Sequence, residues 1–121
     1  MNIEIKKASS SDSLDLSLLT GELLHEIMDK IDIKAFNFNQ KETQERAVDL
    51  LSKDLYFVFI AKDGDKSVGF ISMYESYALY SEGAYGTIPE LYIKPEYRSL
   101  NIGKDLLEKA REFAGIRKWK G

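Results

Sequence analysis

Cysteine is absent from this chain of 121 residues, and histidine occurs once. No disulfide, thiol nucleophile or cysteine-bound metal can form, and a single histidine cannot build a histidine-rich metal cluster. Any chemistry falls to carboxylates, hydroxyls, amines and the backbone. No apolar run approaches the roughly 20 residues that cross a bilayer. The opening Met-Asn-Ile-Glu-Ile-Lys-Lys also lacks the apolar stretch of a secretory leader. A soluble, cytoplasmic protein without a membrane partner is expected. A basic excess is missing too: 17 Lys and Arg stand against 20 Asp and Glu, a net charge of -3. Duplex binding relies on a concentrated basic face, so nucleic acid is not the expected partner. An acidic balance suits a cationic amine better.

What is present is enough for one packed domain over residues 1–121, with 44% hydrophobic and 12% aromatic residues. Ile3 and Ile5 alternate with polar neighbours and predict a first strand. Leu16, Leu19, Leu23, Ile27 and Ile31 recur at helical spacing, so a helix is expected over about 14–31, weakened or bent at Gly21. Residues 32–40 break that period. Asn39, with Glu42 three residues on, resembles a capping box opening a second helix that ends near Leu51. Within it Glu42 and Arg46 are spaced for an i, i+4 ion pair on a solvated face. Leu55–Ala61 reads as a strand covered on both faces, and Asp63-Gly64 supplies a hairpin turn into Ser67–Tyr74. A third strand is expected over about 85–94, where Pro89 cannot donate to a ladder and marks a bulge or unpaired position.

Residues 89–107 say most about function. There Pro-Glu-Leu-Tyr-Ile-Lys-Pro-Glu-Tyr-Arg-Ser-Leu-Asn-Ile-Gly-Lys-Asp-Leu-Leu carries a strand through a short basic turn into an amphipathic helix. A helix N-terminus offers unpaired N–H groups and partial positive charge, so a pyrophosphate can be held by Arg98, Lys104 and the backbone between them. The turn has neither the Walker A spacing nor the Rossmann glycine fingerprint. Ile102, Leu106, Ala110 and Phe113 form one stripe of the helix and read as core.

Glu90, Leu91, Tyr92, Ile93, Pro95, Arg98, Ile102, Gly103, Leu106 and Leu107 together resemble the acyl-CoA-binding segment of the GNAT family of N-acetyltransferases. That pattern is acidic-Leu-Tyr-aliphatic-x-Pro-x-x-Arg-x-x-Gly-aliphatic-Gly, followed by a helix with paired leucines. The first loop glycine is replaced by Asn101, one of the few residues that enter the left-handed region without large strain. The resemblance implies an α/β fold with a mixed central sheet flanked by helices in the order β-α-α-β-β-β-α. The family's further strand, helix and final strand pair are missing, so a C-terminally shortened member is expected.

It further implies acetyl-CoA as co-substrate, with no metal, and an acetyl group passed to a primary amine by direct attack. Leu91, Tyr92 and Ile93 would bond the pantetheine arm through their peptide groups. Arg98, Ser99, Leu100, Asn101, Ile102, Gly103 and Lys104 would hold the pyrophosphate. Glu90 would be the general base. Such a base is needed because an alkylamine with a pKa near 10.4 costs roughly 4.6 kcal/mol to hold neutral at pH 7. A carboxylate of ordinary acidity, near 4.3, is a poor match, so burial or a water relay is expected around it. The family's thiolate-protonating tyrosine lies in a later helix, and no residue here corresponds to it. Residues 32–40 and 77–85 are expected to wall the acceptor site, with Asp32 and Glu82 favouring a cation. Six of the seven tyrosines fall between Tyr74 and Tyr97, as pocket walls or by ordinary strand propensity. His25 reads as a structural or surface residue. The rival reading is an inactive acyl-CoA-binding or assembly module, dimerising through an open sheet edge beside residues 85–94.

Overall fold

Along residues 56–63 the apolar side chains alternate: Phe57 and Ala61 turn to one core, Val58 and Ile60 to another, all buried. A strand buried on both faces needs cover on both. The computed structural model, which describes residues 2–32 and 37–121, has that arrangement. In order the elements are β1 (Ile3–Lys7), α1 (Ser13–Ile31), α2 (Gln40–Ser52), β2 (Tyr56–Asp63), β3 (Lys66–Ser76), β4 (Tyr85–Thr87), β5 (Leu91–Ile93) and α3 (Ile102–Ile116). The sheet runs β1-β2-β3-β4, with β5 also on β3, and these pairings are antiparallel. Among the described residues no helix is long and apolar enough to cross a membrane.

One core lies between the sheet and α3. The stripe Ile102, Leu106 and Ala110 packs on Phe57, Ile71 and Met73, with Phe113 and Trp119 at its margin. Leu106 is fully buried, so truncating it to Ala would cost roughly 2–5 kcal/mol. The second core sets α1, through Leu16 and Leu19, against Val58, Ile60, Phe70 and Tyr92.

α1 does not break at Gly21. The helix continues through it, and the ring of Phe38 lies where a Cβ would be, 2.7 Å away. A side chain at this position would have to displace the Phe38 ring. The helix ends at Asp32 in the left-handed region, φ 53°. Of the segment expected to break the helical period, residues 33–36 lie outside the described residues, so the expectation for Phe36 goes with them. Asn39 caps α2 as expected, its Oδ1 accepting from Glu42 N–H at 2.9 Å. The β2–β3 turn is Gly64-Asp65, one residue later than the expected pair, with φ 60° at Gly64.

The third strand is two short ones. Tyr74 pairs with Thr87 and Ile71 with Leu91, so Ser72 and Met73 face Ile88, Pro89 and Glu90. That extra residue is a bulge at the proline, where a missing N–H makes interruption cheapest. The edge beyond β4 is not open. Lys120 N–H donates to Ala84 C=O at 2.7 Å and Gly86 N–H to Gly121 C=O at 2.6 Å. The indole N–H of Trp119 donates to Glu75 at 2.7 Å, fixing this segment in place.

Candidate active site

The bulge sets the site. Ser72 N–H donates to Glu90 C=O at 3.0 Å and Lys94 N–H to Val68 C=O at 2.8 Å. In this antiparallel register, residues 90, 92 and 94 exchange backbone bonds with β3. The peptide groups of Leu91 and Ile93 therefore point to the outer side of β5. Tyr92, expected to offer its backbone as well, spends it on Phe70.

Glu90 projects to the α1 side of the sheet. Its Oε1 accepts from Tyr56 Oη at 2.7 Å and from the hydroxyl of Ser72. Burial, with the Glu90 carboxylate close by, pushes the Tyr56 phenol well above its ordinary range. Tyr56 is thus a donor, not a base. Both hydroxyls end on one carboxylate oxygen, leaving Oε2 without a protein donor among the described residues. Tyr56 and Ser72 were missed by sequence reasoning. A serine inside the apolar run 68–73 was the available signal, since a buried hydroxyl needs a partner.

Glu90, Tyr56 and Ser72 line a cavity of about 290 Å³ between α1, α2 and the sheet. Apolar walls come from Leu16, Leu24, Phe38, Leu50, Val58 and Phe70, and Arg46 also lines it. Of the expected walls, Asn37 and Phe38 take part. The loop over 77–85 does not line this cavity, and Tyr77 and Tyr80 are exposed. Asp32 and Glu82 are likewise absent from it. Arg46 forms no ion pair with Glu42 among the described residues.

The turn into α3 takes two left-handed steps, Ser99 at φ 68° and Asn101 at φ 65°. The second is what the asparagine was expected to allow. The Asn101 side chain makes no cap bond. The first N–H groups of α3, at Ile102, Gly103 and Lys104, are thus left for another acceptor. Buried Ile102 anchors the helix start. A Cβ at Gly103 would meet only Ile93 Cγ1, at 4.0 Å. Gly103 borders open space, not packed neighbours. An uncapped helix start, a glycine facing room and an outward strand edge fit a phosphate-bearing extended ligand such as acetyl-CoA.

Arg98 departs from its expected place. Its guanidinium donates to Glu26 at 2.6 Å and to Ile93 C=O at 2.9 Å, and stacks over Tyr92 with 5.6 Å to the ring centroid. The reason lies on α1, where Glu22 and Glu26, one turn apart, both face this strand end. Glu22 binds Lys94 at 2.9 Å and accepts from Tyr92 Oη at 3.1 Å. Burial, then Glu22, pushes the Tyr92 phenol up to about 12. Ser99, Leu100 and Lys104 are exposed around the turn. His25 Nδ1–H donates to Gly21 C=O on its own helix at 2.7 Å, as a structural residue would.

Known proteins resemble this chain in sequence and in fold. A model of the acetyltransferase (GNAT) family matches residues 22–118. An uncharacterized N-acetyltransferase of Archaeoglobus fulgidus is 36% identical over 66 residues, which cover 54% of this chain and 45% of that protein. The match thus spans under half the length of that curated relative. Among solved structures, an integron cassette protein from the mobile metagenome of Cole Harbour Salt Marsh superposes with a TM-score of 0.84 at 20% identity, over 96% of this chain and 72% of its own. AAC(6')-Iy, in complex with the bisubstrate analog CoA-S-monomethyl-acetylneamine, superposes with a TM-score of 0.78 at 12% identity, over 99% and 76%. The solved chains share the fold and are longer. With the family pattern covering most of the sequence and the strand, bulge and helix turn arranged around it, this chain belongs to the GNAT acetyltransferases.

Proposed function

We propose that the protein is a cytoplasmic enzyme of one domain that transfers an acetyl group from acetyl-CoA to a primary amine. Acetyl-CoA, when bound, supplies the acetyl group as a thioester. The N–H groups of Ile102, Gly103 and Lys104 hold its pyrophosphate, with the positive end of α3 behind them. The outward peptide groups of Leu91 and the N–H of Ile93, whose carbonyl already accepts from Arg98, hold the pantetheine arm as an added strand would. Arg98 serves by bracing the end of β5 against α1. Lys104, exposed, is the side-chain cation of the turn.

The amine enters the cavity and attacks the acetyl carbon. As its nitrogen bonds that carbon, the C–S bond breaks and the sulfur leaves with the electron pair. Glu90, directly or through one water, first takes a proton from the arriving ammonium so that the nitrogen can attack, and the second proton, lost as the amide forms, goes to the departing thiolate. An N–H at Leu91 is the donor for the oxygen as the carbon becomes tetrahedral. Alignment of two reactants supplies much of the rate.

The single observation that carries this reading is the position of Glu90. It lies between an apolar cavity and an outward strand edge, with its carboxylate held by Tyr56 and Ser72. The test is calorimetric titration of acetyl-CoA into the wild type and Gly103→Leu, followed by thiol release across an amine panel. Binding that the leucine abolishes, followed by amine-dependent thiol release, supports the reading. Equal binding by both proteins would remove the turn from it.

A further inference from the structure

The acceptor cavity carries two charged side chains of opposite sign, Glu90 and Arg46. Glu90 sits beside fully buried Ser72 and marks the deep end, while Arg46, on the exposed part of α2, marks the outer end. Between them the lining is apolar, chiefly Leu16, Leu50, Val58 and Phe70. Among the described residues Arg46 has no carboxylate partner, and residues 33–36, Ile-Lys-Ala-Phe, contain no acid.

We propose that the acceptor carries its reactive amine at one end of an apolar body and an anionic group, such as a carboxylate, at the other, where Arg46 binds it. This rests on the acetyl-transfer reading and names its substrate class. An amine arrives from water protonated, so Glu90 attracts it electrostatically. A polyamine would bring a second positive charge to Arg46 and meet like-charge repulsion there. A carboxylate there gains a charge-assisted and often bidentate pair. At about 290 Å³ the cavity lies at the low end of small-molecule sites, roughly 300–1,000 Å³. It takes a small molecule or the end of a chain. The net charge of -3 favours cations only at long range. At contact the sign is set by Arg46.

The test uses three ligand sets of matched chain length: ω-amino acids, alkylamines and α,ω-diamines. Affinity is read by calorimetry in the presence of acetyl-CoA, and kcat/KM by thiol release. The expected order is ω-amino acid, alkylamine, diamine, with the first step about tenfold or more, as for a charged hydrogen bond. Arg46→Gln should erase that step and Arg46→Lys retain part of it. Equal affinity for ω-amino acids and alkylamines, a preference that survives Arg46→Gln, or no binding at any length would overturn the proposal. The expected order in binding without acetyl transfer to any amine would uphold the charge assignment and sink the acetyl-transfer reading instead.

Discussion

At the scale of single residues, the Glu90 carboxylate with Tyr56 and Ser72 on one oxygen makes the sharpest claim. Glu90→Gln is nearly isosteric and can still accept from Tyr56, so the fold should persist while the proton acceptor is lost. We expect kcat to fall by roughly 10²- to 10⁴-fold, with KM for acetyl-CoA little changed, as measured by thiol release. Tyr56→Phe leaves the Ser72 hydroxyl on Oε1 and should cost less. Equal rates for wild type and Glu90→Gln would remove this residue from the base role. Glu90 was legible in the sequence because it belongs to a local pattern. Its partners were not, because Tyr56 lies 34 residues away and their meeting depends on the register of two ladders and a bulge. Arg46 lies on an exposed face as expected, but the pair its spacing allowed does not form among the described residues. Spacing along a helix shows which side chains can pair, not whether a cavity offers something else.

At the scale of elements, periodicity located the helices and the first strands to within a residue or two. The exception was the run over 85–94, read as one strand. Pro89 gave away the interruption, but only the pairing partners show that it divides the run in two. The turn before α3 is the element whose chemistry can be tested most directly. Asn101 holds φ 65°, which glycine adopts freely and a β-branched residue resists. Asn101→Gly should keep both stability and acetyl-CoA affinity. Asn101→Val should cost about 1–2 kcal/mol and weaken acetyl-CoA binding as the helix start shifts. Chemical denaturation and calorimetry on the pair separate the two effects. Ser99, at φ 68°, has no sequence signal of comparable clarity, since serine is common in loops of every kind.

At the scale of the whole molecule, Asp12 ties the start of α1 to the sheet. It is 5% exposed, accepts from Ser9 N–H at 2.9 Å, and lies 3.1 Å from Lys6 and 3.6 Å from Lys62. Burial alone would raise its pKa, but the Ser9 N–H and the two lysines outweigh it and hold the carboxyl below its usual range. A lowered folded-state pKa stabilises fully above the unfolded value, near 3.9, and that stability is lost as pH falls through the folded value. Thermal melts from pH 7 downward should therefore show a loss of stability beginning near about pH 4, shallower in Asp12→Asn. Identical slopes would assign the acid sensitivity elsewhere.

The bulge at Pro89 has one more consequence. Removing that single residue would bring β4 and β5 into a common register on β3, since the two pairings differ by one position. The ladder would close, the sheet would gain strength, and Glu90 would still stand opposite Ser72. What would vanish is the bend and added twist that a bulge gives its strand. Selection for sturdiness alone would favour that deletion, and a chain retaining the interruption trades an unbroken ladder for two strand segments whose registers differ by one residue.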